Sequence, residues 1–185
     1  MSPLLRNLAV VWGLLGVLAL LGRALVSLSP LAYEAIVGGM AWWQWAIAGA
    51  WVGFMAYTEG YRGFQQRFSP MVAARLLVLR EHTTVLRLVL APMFAMGLIQ
   101  ATRRRLLVSW GVLIAVVCLI LVVRLLEQPW RGIVDMGVVV GLAWGTVSLL
   151  VHTALALSRG TSSADAELAT TDGDEAEAAV AEPGG

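Results

Sequence analysis

The chain has 185 residues, of which 59% are apolar and only 14% charged. An average soluble domain carries about 45–50% apolar and about 25% charged residues, so a soluble globular enzyme is excluded. A single cysteine with no matching repeat excludes a disulfide scaffold, a collagen and a coiled coil. The formal net charge of +1 conceals a division: seven acids and no base lie between 164 and 185, whereas residues 1–159 hold thirteen bases against five acids. Every base is arginine, a usage that suggests a bacterial, GC-rich source.

In chain order, the first apolar run covers 8–22 and extends past Arg23 to about residue 28. A signal peptide is the competing reading. Arg23 and the Pro30 that follows Ser27-Leu28-Ser29 argue against cleavage, so the run is an anchor, with a turn at Ser29-Pro30. The second span covers 40–58, and Trp42, Trp43 and Trp45 at one end have the arrangement of an interfacial aromatic belt. Ser69-Pro70 has the form of a helix start, opening a helix over 70–102. Its first half, with Arg75, Arg80, Glu81, His82 and Arg87, is an amphipathic surface; its second half is apolar, kinked at Pro92, and supplies a span over 83–102. Two further spans cover 106–124 and 133–157, each bounded by arginines and long enough to cross about 30 Å of hydrocarbon. Residues 160–185, rich in Gly, Ser, Thr, Ala and acid, cannot bury a core and form a disordered acidic tail.

The fold expected is therefore all-α: a polytopic helical membrane bundle of four or five spans over 1–159, in the bacterial inner membrane with a cytoplasmic N-terminus. Arginines collect on the cytoplasmic side. Four spans place ten of them inside and three outside, and five spans place eight inside and five outside. Charge favours four; continuity of the 70–102 helix favours five, and the balance tips to five.

Two polar stretches are candidate binding surfaces. In 57–70, Tyr57, Tyr61, Phe64 and Phe68 recur at helical spacing, and Glu59, Arg62 and Gln66 form a second stripe in which Glu59 can pair with Arg62. This is the pattern of an interfacial anchor or of a surface for lipid headgroups or a partner at the membrane edge. The other is 128–135, where Gln128, Trp130 and Arg131 precede Asp135, a carboxylate at a helix start with Arg131 to pair with. With five spans both stretches share one side, and Glu59, Arg62, Arg131 and Asp135 form a single site; with four they do not. Gly137, Gly141, Gly145, Ser148 and His152 make a small helix face suited to close packing, and Ala46, Gly49, Gly53, Ala56 and Gly60 offer it a mate. Ser148 and His152 are the buried polar candidates on that face.

No nucleotide loop, metal motif, nucleophile elbow or catalytic triad occurs, so no catalytic residue is assigned and neither cofactor nor metal is expected. Haem held by His82 and His152 needs both at one depth, which four spans permit and five forbid; a histidine on a packed or solvated helix face is more often a hydrogen-bonding residue, so no haem is assigned. Arg103-Arg104-Arg105 marks a helix end at anionic headgroups rather than a nucleic-acid patch. The function these features favour is a non-catalytic accessory, assembly or interaction factor. It would contact membrane lipids and either another membrane protein or further copies of itself. A small-solute carrier or channel component is the alternative, and a membrane enzyme or redox protein acting on a lipid or isoprenoid is a further one.

Overall fold

The computed structural model describes residues 3–82, 84–164 and 166. The expected acidic tail, 160–185, lies outside these apart from 160–164 and 166. Every regular element among the described residues is helical. Helix α1 spans Pro3–Val37, and α2 spans Trp42–Met55. A wide-turned π-helix, Ala56–Phe68, continues α2 without a break into α3, Ser69–Glu81. Two five-residue helices follow, α4 (Val85–Val89) and α5 (Ala91–Ala95), then α6 (Arg103–Val123) and α7 (Trp130–Arg159). Among the described residues, three helices are long and apolar enough to cross a membrane: α1, α6 and α7.

Several expectations about helix ends are corrected. Pro30 does not end the first helix, which runs on to Val37 and turns at Gly38-Gly39, where Gly39 takes φ +80°. A proline inside a helix removes one hydrogen bond, and beside it the Ser29 hydroxyl donates to the Leu25 carbonyl at 2.7 Å. Ser69-Pro70 does not start a new helix either. Ser69 is helical (φ −63°, ψ −45°) and buried, its N–H donates to the Phe64 carbonyl, and its hydroxyl has no partner among the described residues. A proline, with no N–H to place, suits the point where i→i+5 bonding gives way to i→i+4. Residues 42–81 thus form one helical rod.

The continuous 70–102 helix, and with it a helical span over 83–102, is not formed. The chain leaves the helix at His82 and restarts at Val85, with the Thr84 hydroxyl accepting from the Arg87 N–H at 3.3 Å. It breaks again at Leu90 before Pro92, and beyond α5 is irregular, with Gly97 and Gln100 at positive φ. This segment folds back as a hairpin against α1 and α3.

Packing pairs fix the direction of each helix. Gly132 at the start of α7 lies against Leu31 and Ala35 near the end of α1, while Leu157 shares a cleft with Asn7 and Val10 near the start of α1. Helix α7 is therefore antiparallel to α1. Along α7 the rod runs parallel: Trp51 donates to the Val134 carbonyl, Phe64 covers Gly145, and Arg80 donates to the Leu157 carbonyl. The hairpin reaches in from the α3 end, with Pro92 against Gly16 and the Ala91 carbonyl beside Gly13. A buried core of Ala9, Val17, Val72, Leu76, Phe94 and Leu149 binds α1, α3, α5 and α7 together. Helix α6 stands apart: residues 111–122 are all exposed, and Gly111 faces open space. A helix apolar on every side belongs in lipid, so this exposure carries no penalty in a membrane.

Candidate functional site

The π-helix is the most unusual element. Its i→i+5 bonding turns the chain through fewer degrees per residue than an α-helix, so positions three apart no longer share a face. The single aromatic stripe of the sequence accordingly splits into two pairs. Tyr57 and Tyr61 stack outward with ring centres 6.0 Å apart, 56% and 39% exposed. Phe64 and Phe68 turn inward and meet edge-on at 5.4 Å. Gly60, buried, lets the backbone approach Trp144. The same widening separates Glu59 from Arg62, and no ion pair joins them among the described residues. Glu59 instead lies across Gly63, with its Cβ beside Gly141 of α7.

What the π-helix leaves exposed is polar: Tyr57, Glu59, Tyr61, Arg62, Gln66 and Arg67. Its level along the bundle is set by α7, where Glu59 meets Gly141 and Phe64 meets Gly145. Those glycines stand near the middle of the 30-residue helix Trp130–Arg159, on the order of 16–22 Å from its start at 1.5 Å per residue. The segment thus lies beside the middle of α7.

A lateral groove of about 590 Å³ opens where the π-helix meets α7, lined by Gln65, Trp144, Val147, Ser148, Val151 and His152. The Trp144 indole donates to Gln65 Oε1 at 2.8 Å. Ser148 is buried and its hydroxyl has no partner among the described residues; His152 is only half-buried.

The 128–135 stretch works as a clamp. The Gln128 amide donates to the Leu31 carbonyl at 3.3 Å and to Glu34 Oε2 at 3.5 Å, and its oxygen accepts from the Gly132 N–H at 3.2 Å. Trp130 packs on Trp43 with ring centres 5.7 Å apart, joining the tryptophan-rich end. Asp135 does not cap α7: it sits in the second turn, 3% exposed, and neither its Oδ2 nor Arg131 Nε finds a hydrogen-bond partner among the described residues. Nor does it join Glu59, which meets α7 six residues further on, about 9 Å away along the axis. The expected cluster of Glu59, Arg62, Arg131 and Asp135 is not assembled.

One residue that sequence reasoning placed on a solvated surface is fully buried. Arg75 donates to the carbonyls of Phe94 at 3.0 Å, Ile99 at 3.2 Å and Gln100 at 3.4 Å. Its guanidinium lies 4.9 Å from the centre of the Phe94 ring, and that of Arg87 lies 5.2 Å from it. Arg87 also donates to Gln100 Oε1 at 2.6 Å and to the His82 carbonyl at 2.9 Å. Irregular backbone at membrane depth is tolerated only where its polar groups are satisfied inside the protein, and the two arginines satisfy four backbone carbonyls and the Gln100 side-chain oxygen. The available signal was local: Arg75 is the sole charge between Pro70 and Leu79, which suits an inward position better than a surface.

No protein-family model, curated protein or solved structure matches this chain.

Proposed function

We propose that this chain is a non-catalytic interaction or assembly factor embedded in the bacterial inner membrane, and that it docks on another membrane protein through the outward face of the π-helix. One observation carries the reading: Glu59, Arg62, Gln66 and Arg67 are exposed beside the middle of an apolar, membrane-length helix. A charged side chain at the bilayer centre costs at least about 2.5–3.5 kcal/mol on insertion scales, and such groups face a protein partner or water rather than lipid. Sites built on π turns are frequently functional, in keeping with this use. A photocrosslinker replacing Tyr61 in intact membranes tests the reading. Adducts to protein are expected from Tyr61 and adducts to lipid from Ile114 on α6. Lipid adducts alone from both positions would refute docking.

The same reading takes four crossings: α1, the 42–81 rod, α6 and α7, with the 82–102 hairpin dipping in and returning. The start of α1 and the end of α7 then share one face. Eight arginines, Arg6, Arg75, Arg80, Arg87, Arg103, Arg104, Arg105 and Arg159, gather toward it, against Arg124 and Arg131 at the other end and Arg23, Arg62 and Arg67 between, an excess that favours a cytoplasmic shared face. Reporter fusions after Ser158 and after Leu126 are expected to report cytoplasmic and periplasmic locations respectively; a periplasmic Ser158 fusion would exclude four crossings.

A further inference from the structure

We propose that the outward face of the π-helix receives a transmembrane helix of another protein that carries a carboxylate at the middle of its span, held by Arg62 and Arg67. This rests on the reading of that face as a docking surface and gives the chemistry of its occupant. A helix bonded i→i+5 turns once in roughly four to five residues, so residues at that spacing share a face. Tyr57, Tyr61-Arg62 and Gln66-Arg67 recur at this interval, and all are exposed. The inward side is taken by Gly60 and Phe64, packed against Trp144 and Gly145, and Glu59 turns its Cβ to Gly141. The outward stripe therefore holds two guanidiniums and no acid. Arg23, exposed on α1, adds a third cation at the same level, because α1 runs antiparallel to α7 from Asn7 beside Leu157 to Ala35 beside Gly132. What this level lacks is a carboxylate.

Depth excludes the ordinary sources of negative charge. Gly145, beneath Phe64, lies fourteen residues from both Arg131 and Arg159, the arginines that bound α7. Arg62 is two residues from Phe64, so it stands within about 3 Å of the middle of that span at 1.5 Å per residue. A headgroup phosphate lies about 15 Å off, half the hydrocarbon thickness, beyond what one snorkelling side chain covers. A second copy of this chain would set guanidiniums against guanidiniums, since its stripe lacks an acid too. A partner segment at that depth must be helical, because in lipid a single segment satisfies its own backbone only as a helix. A glutamate or aspartate on it can accept two parallel N–H bonds from Arg62 and keep lone pairs for Arg67. Pairing of this kind is how ionisable residues are held within membranes. Tyr57 and Tyr61, stacked with ring centres 6.0 Å apart, add the aromatic contact area in which interfaces are enriched.

The test uses the full chain with a photocrosslinker at Tyr61, reconstituted in phosphatidylcholine vesicles with a designed leucine–alanine helix of about 20 residues, long enough to span. Three such probes differ only at the central residue, which is glutamate, glutamine or leucine. The glutamate probe is expected to give at least tenfold more adduct than the leucine probe, with glutamine between them. Arg62→Gln with Arg67→Gln is expected to bring the glutamate probe down to the leucine level. Arg62→Glu with Arg67→Glu is expected to reverse the preference toward a probe with a central arginine, which also shows that the altered chain is folded. Equal capture, or none, of the glutamate and leucine probes would overturn the proposal. So would a glutamate adduct undiminished in the double glutamine chain, or adducts to a second copy in place of the probe. If any of these occurs while Tyr61 still yields protein adducts in intact membranes, the acidic helix fails and the docking surface stands. Lipid adducts alone in intact membranes remove both.

Discussion

Replacing Arg75 with methionine is expected to destabilise the fold by about 3–5 kcal/mol, the largest single-residue effect in this chain. The guanidinium is fully buried and feeds three carbonyls, those of Phe94, Ile99 and Gln100. Each buried acceptor left unsatisfied costs about 1–3 kcal/mol, and partial relaxation of the hairpin recovers some of that. Methionine roughly fills the volume, so the loss reports on hydrogen bonding more than on a cavity. Lysine retains the charge but offers a compact ammonium in place of a planar fork, so it cannot reach three separated acceptors and should fall between. Unfolding in mixed micelles measures the stability. Ala95 and Ala101, both buried in the hairpin, give a local readout: cysteines placed there in a Cys118→Ser background should be protected in the parent and labelled in Arg75→Met. Unchanged unfolding and continued protection would show that the hairpin holds itself together without the arginine.

This hairpin is also where the sequence was least legible. The apolar run 88–101 has the composition of a span, and composition cannot reveal that a buried cation elsewhere satisfies a chain that has left the helix. The partners of Arg75 were invisible for the same reason: they are backbone carbonyls 19 to 25 residues away, which leave no side-chain signature. The π-helix escaped differently. A spacing of four, three and four fits an α-helical stripe, and nothing in those residues announces a wider turn, so the contents of the site were readable while its facing was not. Features set by hydropathy alone were legible: helix α6 between its arginines, the extent of α7, and the tryptophan-rich end where Trp43 meets Trp130. The prolines misled because local rules treat them as stops, whereas tertiary packing carries the helix through both Pro30 and Pro70.

The two small-residue faces were indistinguishable in sequence, and the structure divides them so sharply that one substitution should have opposite signs on each. Gly145 of α7 lies beneath the Phe64 ring, and an added Cβ would sit under 3.0 Å from three of its carbons. The ring cannot swing aside cheaply, because its other side is engaged by Phe68. Gly49 of α2 belongs to the face that appeared to be the mate of this one, yet nothing lies within 4 Å of a Cβ built there. Gly145→Ala is therefore expected to cost about 1–2 kcal/mol, the overpacking penalty of about 1–3 kcal/mol less what alanine gains over glycine in a helix. Gly49→Ala keeps only that gain and should stabilise by about 0.5–1 kcal/mol. The Gly145 change should also lift the π-helix from α7, loosening the Trp144–Gln65 hydrogen bond and moving Glu59 away from Gly141, so docking through the exposed face should weaken alongside stability. Equal effects of the two alanines in the same unfolding assay would mean that α7 does not seat the π-helix through Gly145, and the depth assigned to Glu59 and Arg62 would fall with it.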